Sequence, residues 1–342
     1  MRLSFDKSKI LITLILIPML GIPLAVISLA IPLSKEKPLT AEATRLRNAL
    51  LVNVGLPSDV SWHPNSPAEG FLEETVKPPV EIDRAYQLIH ASGSNFEKTL
   101  RVAAHLRQGK KKGGFIMDDT VNAYRRIVQE GQGYCADYTQ VFNALAHAGN
   151  IPVREWGLSF DGFGGRGHAF SEIYDFALDK WIFIDVFNSF YVKKLDNNVP
   201  LSVLEFRDHL LNNEVSGIDI IPIVSENFGF KKKGIINKKA ALDYYLRGKD
   251  EFYLWKGNNV FSYDSHILIR FLTPISRSLE QLMAIALGIH PEILILRTEH
   301  NQEEIDLLVT LRYKLIFAAI SEILLFSLLF AIFLLRRRTR VE

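Results

Sequence analysis

The sequence predicts an α+β fold: a cysteine-bearing helix packed on an antiparallel sheet that carries a histidine and an aspartate, flanked by transmembrane helices at both ends. Three observations lead there. Between Gly131 and Phe187 the chain places Cys135, its only cysteine in 342 residues, ahead of His168 and Asp185. Helical and strand-like periodicities follow one another through that stretch. Two long apolar runs lie near the ends of the chain.

Composition bounds the reading. At 48% hydrophobic, the chain can bury one good-sized core. A net charge of +2, with lysine and arginine spread along the sequence, leaves no electrostatic footprint for nucleic acid. A single cysteine excludes an intramolecular disulfide and a multi-cysteine zinc or iron–sulfur centre. No His-Glu-x-x-His or other close-spaced ligand cluster occurs, so neither a metal nor another cofactor is expected.

The run Ile10–Leu33 holds no charge, and Leu315–Leu335 holds only Glu322. Each reaches the ~20 apolar residues that carry a helix across a bilayer. Arg2, Lys7 and Lys9 precede the first; Arg336, Arg337, Arg338 and Arg340 follow the second. Cytoplasmic flanks gather lysine and arginine, so both termini are expected in the cytoplasm, with residues 34–314 on the extracytoplasmic, periplasmic side of the inner membrane. Ser28-Leu29-Ala30 resembles a signal-peptide cleavage site, but the run is longer than the ~7–15 residues of a signal h-region. A retained anchor is the expectation.

Residues 34–93 read as a linker with two short helices, from Thr40 to about Val52 and from Glu81 to His90. Between them Pro57, Pro64, Pro67, Pro78 and Pro79, with Gly55 and Gly70, predict irregular chain. The core is expected over 94–195. Ser94-Asn95-Phe96-Glu97 has the spacing of a capping box and starts a helix running to about Gln108. The Lys110–Lys112 run reads as a solvated turn. Asp118 or Asp119 caps a helix ending at Gly131, and Cys135 opens another that Gly149-Asn150 closes. Strand-like runs follow at Pro152–Phe160, His168–Tyr174 and Trp181–Phe187. Residues 196–314 form a mixed extension that includes an apolar helix over Ser278–Ile289, and 303–335 reads as one helix entering the membrane.

A cysteine in the first turn of a helix meets unpaired amides and the positive end of the dipole, which favour thiolate. If Tyr174 and Asp179 close a hairpin, Glu172 faces Trp181, Phe170 faces Phe183 and His168 faces Asp185, all on one side of the sheet. The carboxylate would then fix the imidazole tautomer whose other nitrogen faces the sulfur. Gly162-Phe163-Gly164-Gly165-Arg166-Gly167 lacks the lysine of a phosphate loop and reads as a mobile connection beside the cleft, a candidate lid.

Gly-x-Cys-x-Asp on a helix, His-Ala-aromatic on a strand and Trp-x-x-x-Asp on the next resemble the transglutaminase-like superfamily, with its papain-like core, over about Ser94–Tyr191. Phe170 stands where that family usually has tryptophan, and Val186 where proline is common. The resemblance implies Cys135 as nucleophile, His168 as base and then acid, and Asp185 as orienter. It implies acyl transfer through a thioester, with hydrolysis of a peptide or protein amide expected ahead of cross-linking. Calcium dependence is not carried over. The Cys135 amide is the natural first oxyanion donor, with Gln129 or Gln132 as candidates for the second. The membrane siting suggests envelope or surface-glycan partners. The competing reading is a non-catalytic binding or scaffold domain of such an assembly.

Overall fold

Six short strands hydrogen-bond into one sheet: β1 (Val52–Gly55), β2 (Val153–Ser159), β3 (Gly167–Asp175), β4 (Lys180–Ile184), β7 (Phe252–Trp255) and β8 (Ile293–Leu296). A separate ribbon pairs β5 (Phe190–Lys194) with β6 (Ile218–Pro222). The order across the sheet is β1-β8-β7-β2-β3-β4, antiparallel except for the parallel pair β1–β8. The computed structural model describes residues 41–338, apart from positions 90, 91, 110, 117, 230, 232 and 233 and the side chains beyond 332. The expected first apolar anchor at 10–33 lies outside the described residues.

This topology corrects the expected division of the chain. The segment taken as linker supplies β1, and the segment taken as C-terminal extension supplies β7 and β8, so the three stretches share one sheet. The proline-rich residues are not free chain either. Arg154 donates to the Val60 carbonyl at 2.6 Å, and Trp181 Nε1 donates to the Trp62 carbonyl at 2.8 Å.

Strand alternation explains the two faces. Val153, Ile173, Ile182 and Ile184 point to a helical layer of α2 (Val80–Ile89), α3 (Asn95–Leu106), α4 (Thr120–Glu130) and α5 (Cys135–Ala148). Trp156, Phe170, Phe183 and Leu254 point the other way, toward α6 (Val203–Leu211), α7 (Lys238–Leu246) and the β5–β6 ribbon. On the α5 side, the β1–β8 end is covered by α1 (Ala41–Leu51) and by the first turns of α11 (Gln302–Arg338).

The helix starts follow their capping chemistry. Ser94 accepts from the Glu97 amide and Glu97 returns the bond to Ser94 N–H at 3.0 Å. Asp119 caps α4, which ends on Gly131 in the left-handed region (φ 65°). α5 spans Cys135–Ala148 as its pattern predicts.

α11 is the one helix among the described residues long and apolar enough to cross a membrane, by length and composition; residues 302–332 carry a mean hydropathy of 2.5 in their most apolar window. It is continuous from its packed start, with Ile305 and Leu308 buried, to its exposed apolar length. Its direction is fixed by two contacts. Glu304 lies beside Gly162, in the loop leading to β3, whereas Arg312 donates to the Val52 carbonyl at 2.8 Å, at the start of β1. The helix therefore leaves from the end of the sheet opposite the β2–β3 loop.

Candidate active site

The turn into α5 is built by glycine. Gly133 sits at φ 137°, and a Cβ there would lie 3.0 Å from the Tyr138 ring. Tyr134 N–H donates to Asp137 Oδ2 at 2.8 Å, which fixes the first turn. Cys135 is thus the first helical residue, half-buried, and its amide belongs to the four at a helix start that lack an intrahelical acceptor.

His168 stands at the beginning of β3, and Asp185 follows the last residue of β4. The register differs from the expected one by two residues. Ser171 pairs with Ile184, Glu172 with Phe183 and Tyr174 with Trp181, because the turn is Phe176–Asp179 and Asp175 pairs with Lys180. A two-residue shift keeps every side chain on its face. Asp185 consequently meets His168 from a bridge with Phe190, where the chain turns out of the sheet, rather than from a facing strand position. His168 Nε2 lies 2.8 Å from Asp185 Oδ2. The Cys135 thiol hydrogen-bonds to the same imidazole and to the Ala169 backbone.

Four hydrogen bonds from three residues hold the aspartate: from the His168 ring, from Asn188 Nδ2 at 2.7 Å, from the Asn188 backbone N–H at 2.8 Å and from the Tyr245 hydroxyl at 2.9 Å. Burial pushes its carboxyl up, but the His168 charge and the bonds from His168 and Asn188 outweigh this and hold it below the usual carboxylate range. Burial pulls the His168 imidazole down, yet the Asp185 charge and hydrogen bond, with the Cys135 thiol, raise it to about 10. Burial pushes the Cys135 thiol up, and the hydrogen bond and charge of His168 with the Ala169 bond bring it below its ordinary value. The arrangement favours a thiolate–imidazolium pair.

The two glutamines are placed otherwise. Gln132 Oε1 accepts from Arg126 Nε at 3.0 Å, and its amide donates to the Phe115 carbonyl at 3.3 Å, so it braces the turn before α5. Gln129 is exposed on the last turn of α4. The glycine loop is likewise no loose lid. Asp161 accepts from the Gly164 and Arg166 amides, Glu251 from the Gly162 amide, and Phe163 is fully buried with its carbonyl bound by Asn48 at 2.8 Å.

Three neighbours escaped sequence reasoning: two come from outside the expected core, and the third from a basic run within it whose charge reads as solvated. Tyr245 and Tyr244 on α7 stand edge-on to the His168 ring, at 5.9 and 5.6 Å. Burial, with the negative charges of Cys135 and Asp185, pushes the Tyr244 hydroxyl up, keeping it a neutral donor. Lys111, read as part of a solvated turn, reaches inward: its Nζ donates to the Phe187 and Gly229 carbonyls at 2.7 and 3.1 Å and sits 3.5 Å from the Phe187 ring centre. Burial and the Arg107 charge lower it to about 6 against the pull of Asp185 and Cys135. A Tyr-Tyr pair on a helix gave no catalytic signal by itself.

A cavity of about 1250 Å³ lies elsewhere, between the start of α4 and Arg270–Ser278, and none of Cys135, His168 and Asp185 lines it. Residues 82–186 match the model of the transglutaminase-like superfamily, a stretch that includes all three. No curated protein and no solved structure matches the chain.

Proposed function

We propose, on the premise that residues 82–186 are a transglutaminase-like segment, that the protein is a cysteine acyl-transfer enzyme with Cys135 as nucleophile, His168 as acid–base and Asp185 as orienter. The observation that carries this is one imidazole bonded at 2.8 Å to a buried aspartate while it also partners a helix-start thiol. Asp185 takes Nε2, which leaves Nδ1 for the sulfur.

The Cys135 thiolate adds to an amide carbonyl, and the oxyanion is received by the Cys135 N–H and the Tyr244 hydroxyl. As the tetrahedral adduct collapses, the C–N bond breaks and imidazolium His168 protonates the departing amine, leaving a thioester. Neutral His168 then takes a proton from water as it attacks, and the acid and the thiol are released. An amine in place of water would give a cross-link; hydrolysis is the proposed outcome, on a peptide or protein amide. The apolar length of α11 and the arginines at 336–338 and 340 support siting on the extracytoplasmic face of a membrane, with residues 10–33 as a second anchor.

The test is covalent labelling of the full chain by a thiol-directed acyl probe at neutral pH. Stoichiometric modification of Cys135, slowed at least about 100-fold in His168→Ala, is expected. Reaction no faster than a free model thiol would leave only a binding domain.

A further inference from the structure

After β7 and the short α8 (Val260–Ser265), two helices, α9 (Ile267–Leu272) and α10 (Arg277–Ala286), form a hairpin whose outer face is apolar and uncovered among the described residues. Ile267 is 79% exposed, Phe271 65% and Ile275 57%; Leu282, Met283 and Leu287 continue the face. Singly exposed apolar residues need no explanation, but a contiguous patch marks a contact surface. The charge pattern says which kind. From Ser265 to Pro291 the only acidic residue is Glu280, fully buried and bound by the Tyr263 hydroxyl at 2.6 Å and by Arg277. The exposed ionic group is Arg270. An apolar face with a cationic edge and no exposed carboxylate matches the boundary between lipid headgroups and acyl chains.

Position gives the second argument. The hairpin lies between the end of β7 and the start of β8, and the His290 ring meets Trp255 at 5.6 Å. That is the end of the sheet opposite His168. Ile285 of α10 packs in the same cluster as Leu311 and Leu315, where α11 leaves its packed segment and its exposed apolar length begins. The apolar face is therefore set beside the entry of the long helix.

We infer that the α9–α10 hairpin seats its apolar face in the lipid bilayer surface beside α11, as a third membrane contact that fixes how the domain stands. This rests on α11 crossing the bilayer. The test keeps the two apart. In full-length protein carrying Cys135→Ser and reconstituted in vesicles containing anionic lipid, an environment-sensitive fluorophore is attached through Phe271→Cys, Leu282→Cys, Leu324→Cys or Leu195→Cys, one at a time. Phe271 and Leu282 labels are expected to be quenched at least about two-fold by lipids nitroxide-tagged near the headgroup and shielded from aqueous iodide, with the Leu195 label showing the reverse. Quenching at Leu324 without quenching at Phe271 and Leu282 overturns the hairpin contact and leaves the spanning helix standing. Shielding of those two from both quenchers also overturns it, because protein, such as residues 10–33, then covers the face. A Leu324 label open to iodide overturns the spanning reading and this inference with it.

Discussion

The chemistry at Cys135 is an electrostatic arrangement that a pH profile can read. The thiol is lowered below its ordinary value and His168 is raised to about 10, so the ion pair spans the interval between them. Alkylation of Cys135 should follow an inflection below the ordinary thiol value of 9.0 and shift upward in His168→Ala. Acyl transfer should fall again as pH rises through about 10, where His168 loses the proton the leaving amine needs. Stability carries the same signs. The raised His168 contributes fully below its ordinary 6.5 and loses that contribution as pH rises through about 10; the depressed Asp185 contributes above 3.8 and loses it as pH falls through its lower folded value. Tyr244→Phe should leave alkylation of Cys135 unchanged and slow acylation by an activated ester by on the order of 100-fold, because only the oxyanion feels the hydroxyl. Cys135, His168 and Asp185 could be read from their local settings. Tyr244, Tyr245 and Lys111 could not, because each reaches the site through tertiary packing from a segment with no local signature.

At the scale of elements, the hairpin β3–β4 shows what alternation determines and what it leaves open. Alternation put Phe170, Glu172, Trp181 and Phe183 on one face, where they are, while the register depended on which residues the turn consumed. Asp179 takes φ 50° and joins the turn, which moved the pairing by two. Glu172 then serves as the hub of that face: its Oε2 accepts from Arg154 Nε at 2.7 Å and Trp156 Nε1 at 2.8 Å, and its Oε1 from the Val203 amide at 2.7 Å. Arg154 in turn lies over the Trp181 ring at 4.0 Å. Glu172→Ala would strand a fully buried guanidinium, and the expected cost is about 3–5 kcal/mol, measurable as a lower urea midpoint. A change under about 1 kcal/mol would mean that Arg154 finds other partners.

For the whole molecule, capping boxes and periodicities revealed the helices of the matched segment, but the sheet could not be completed from them. Its β1 and β8 strands are four residues each and pair in parallel across more than half the chain, a long-range contact that leaves no local pattern. The consequence is testable with fragments. Residues 94–195 alone would bare the β2 edge that β7 covers and lose the Asp185–Tyr245 bond, so they should remain insoluble or melt without a cooperative transition. Residues 41–314, which retain every strand among the described residues, should unfold cooperatively in thermal denaturation followed by circular dichroism.

The direct passage of α11 from packed helix to apolar helix has a mechanical consequence. From Glu304, beside the loop that leads to His168, to Leu315 the helix rises roughly 16 Å at 1.5 Å per residue. No hinge interrupts that length. With α11 in a bilayer, the thiol would ride on a stiff mast at a set height, at the end of the sheet away from the lipid. If the thiol acts as proposed, it would serve as a depth gauge, cutting or joining chains only where they pass one level above the membrane, and the length of the mast would choose the level.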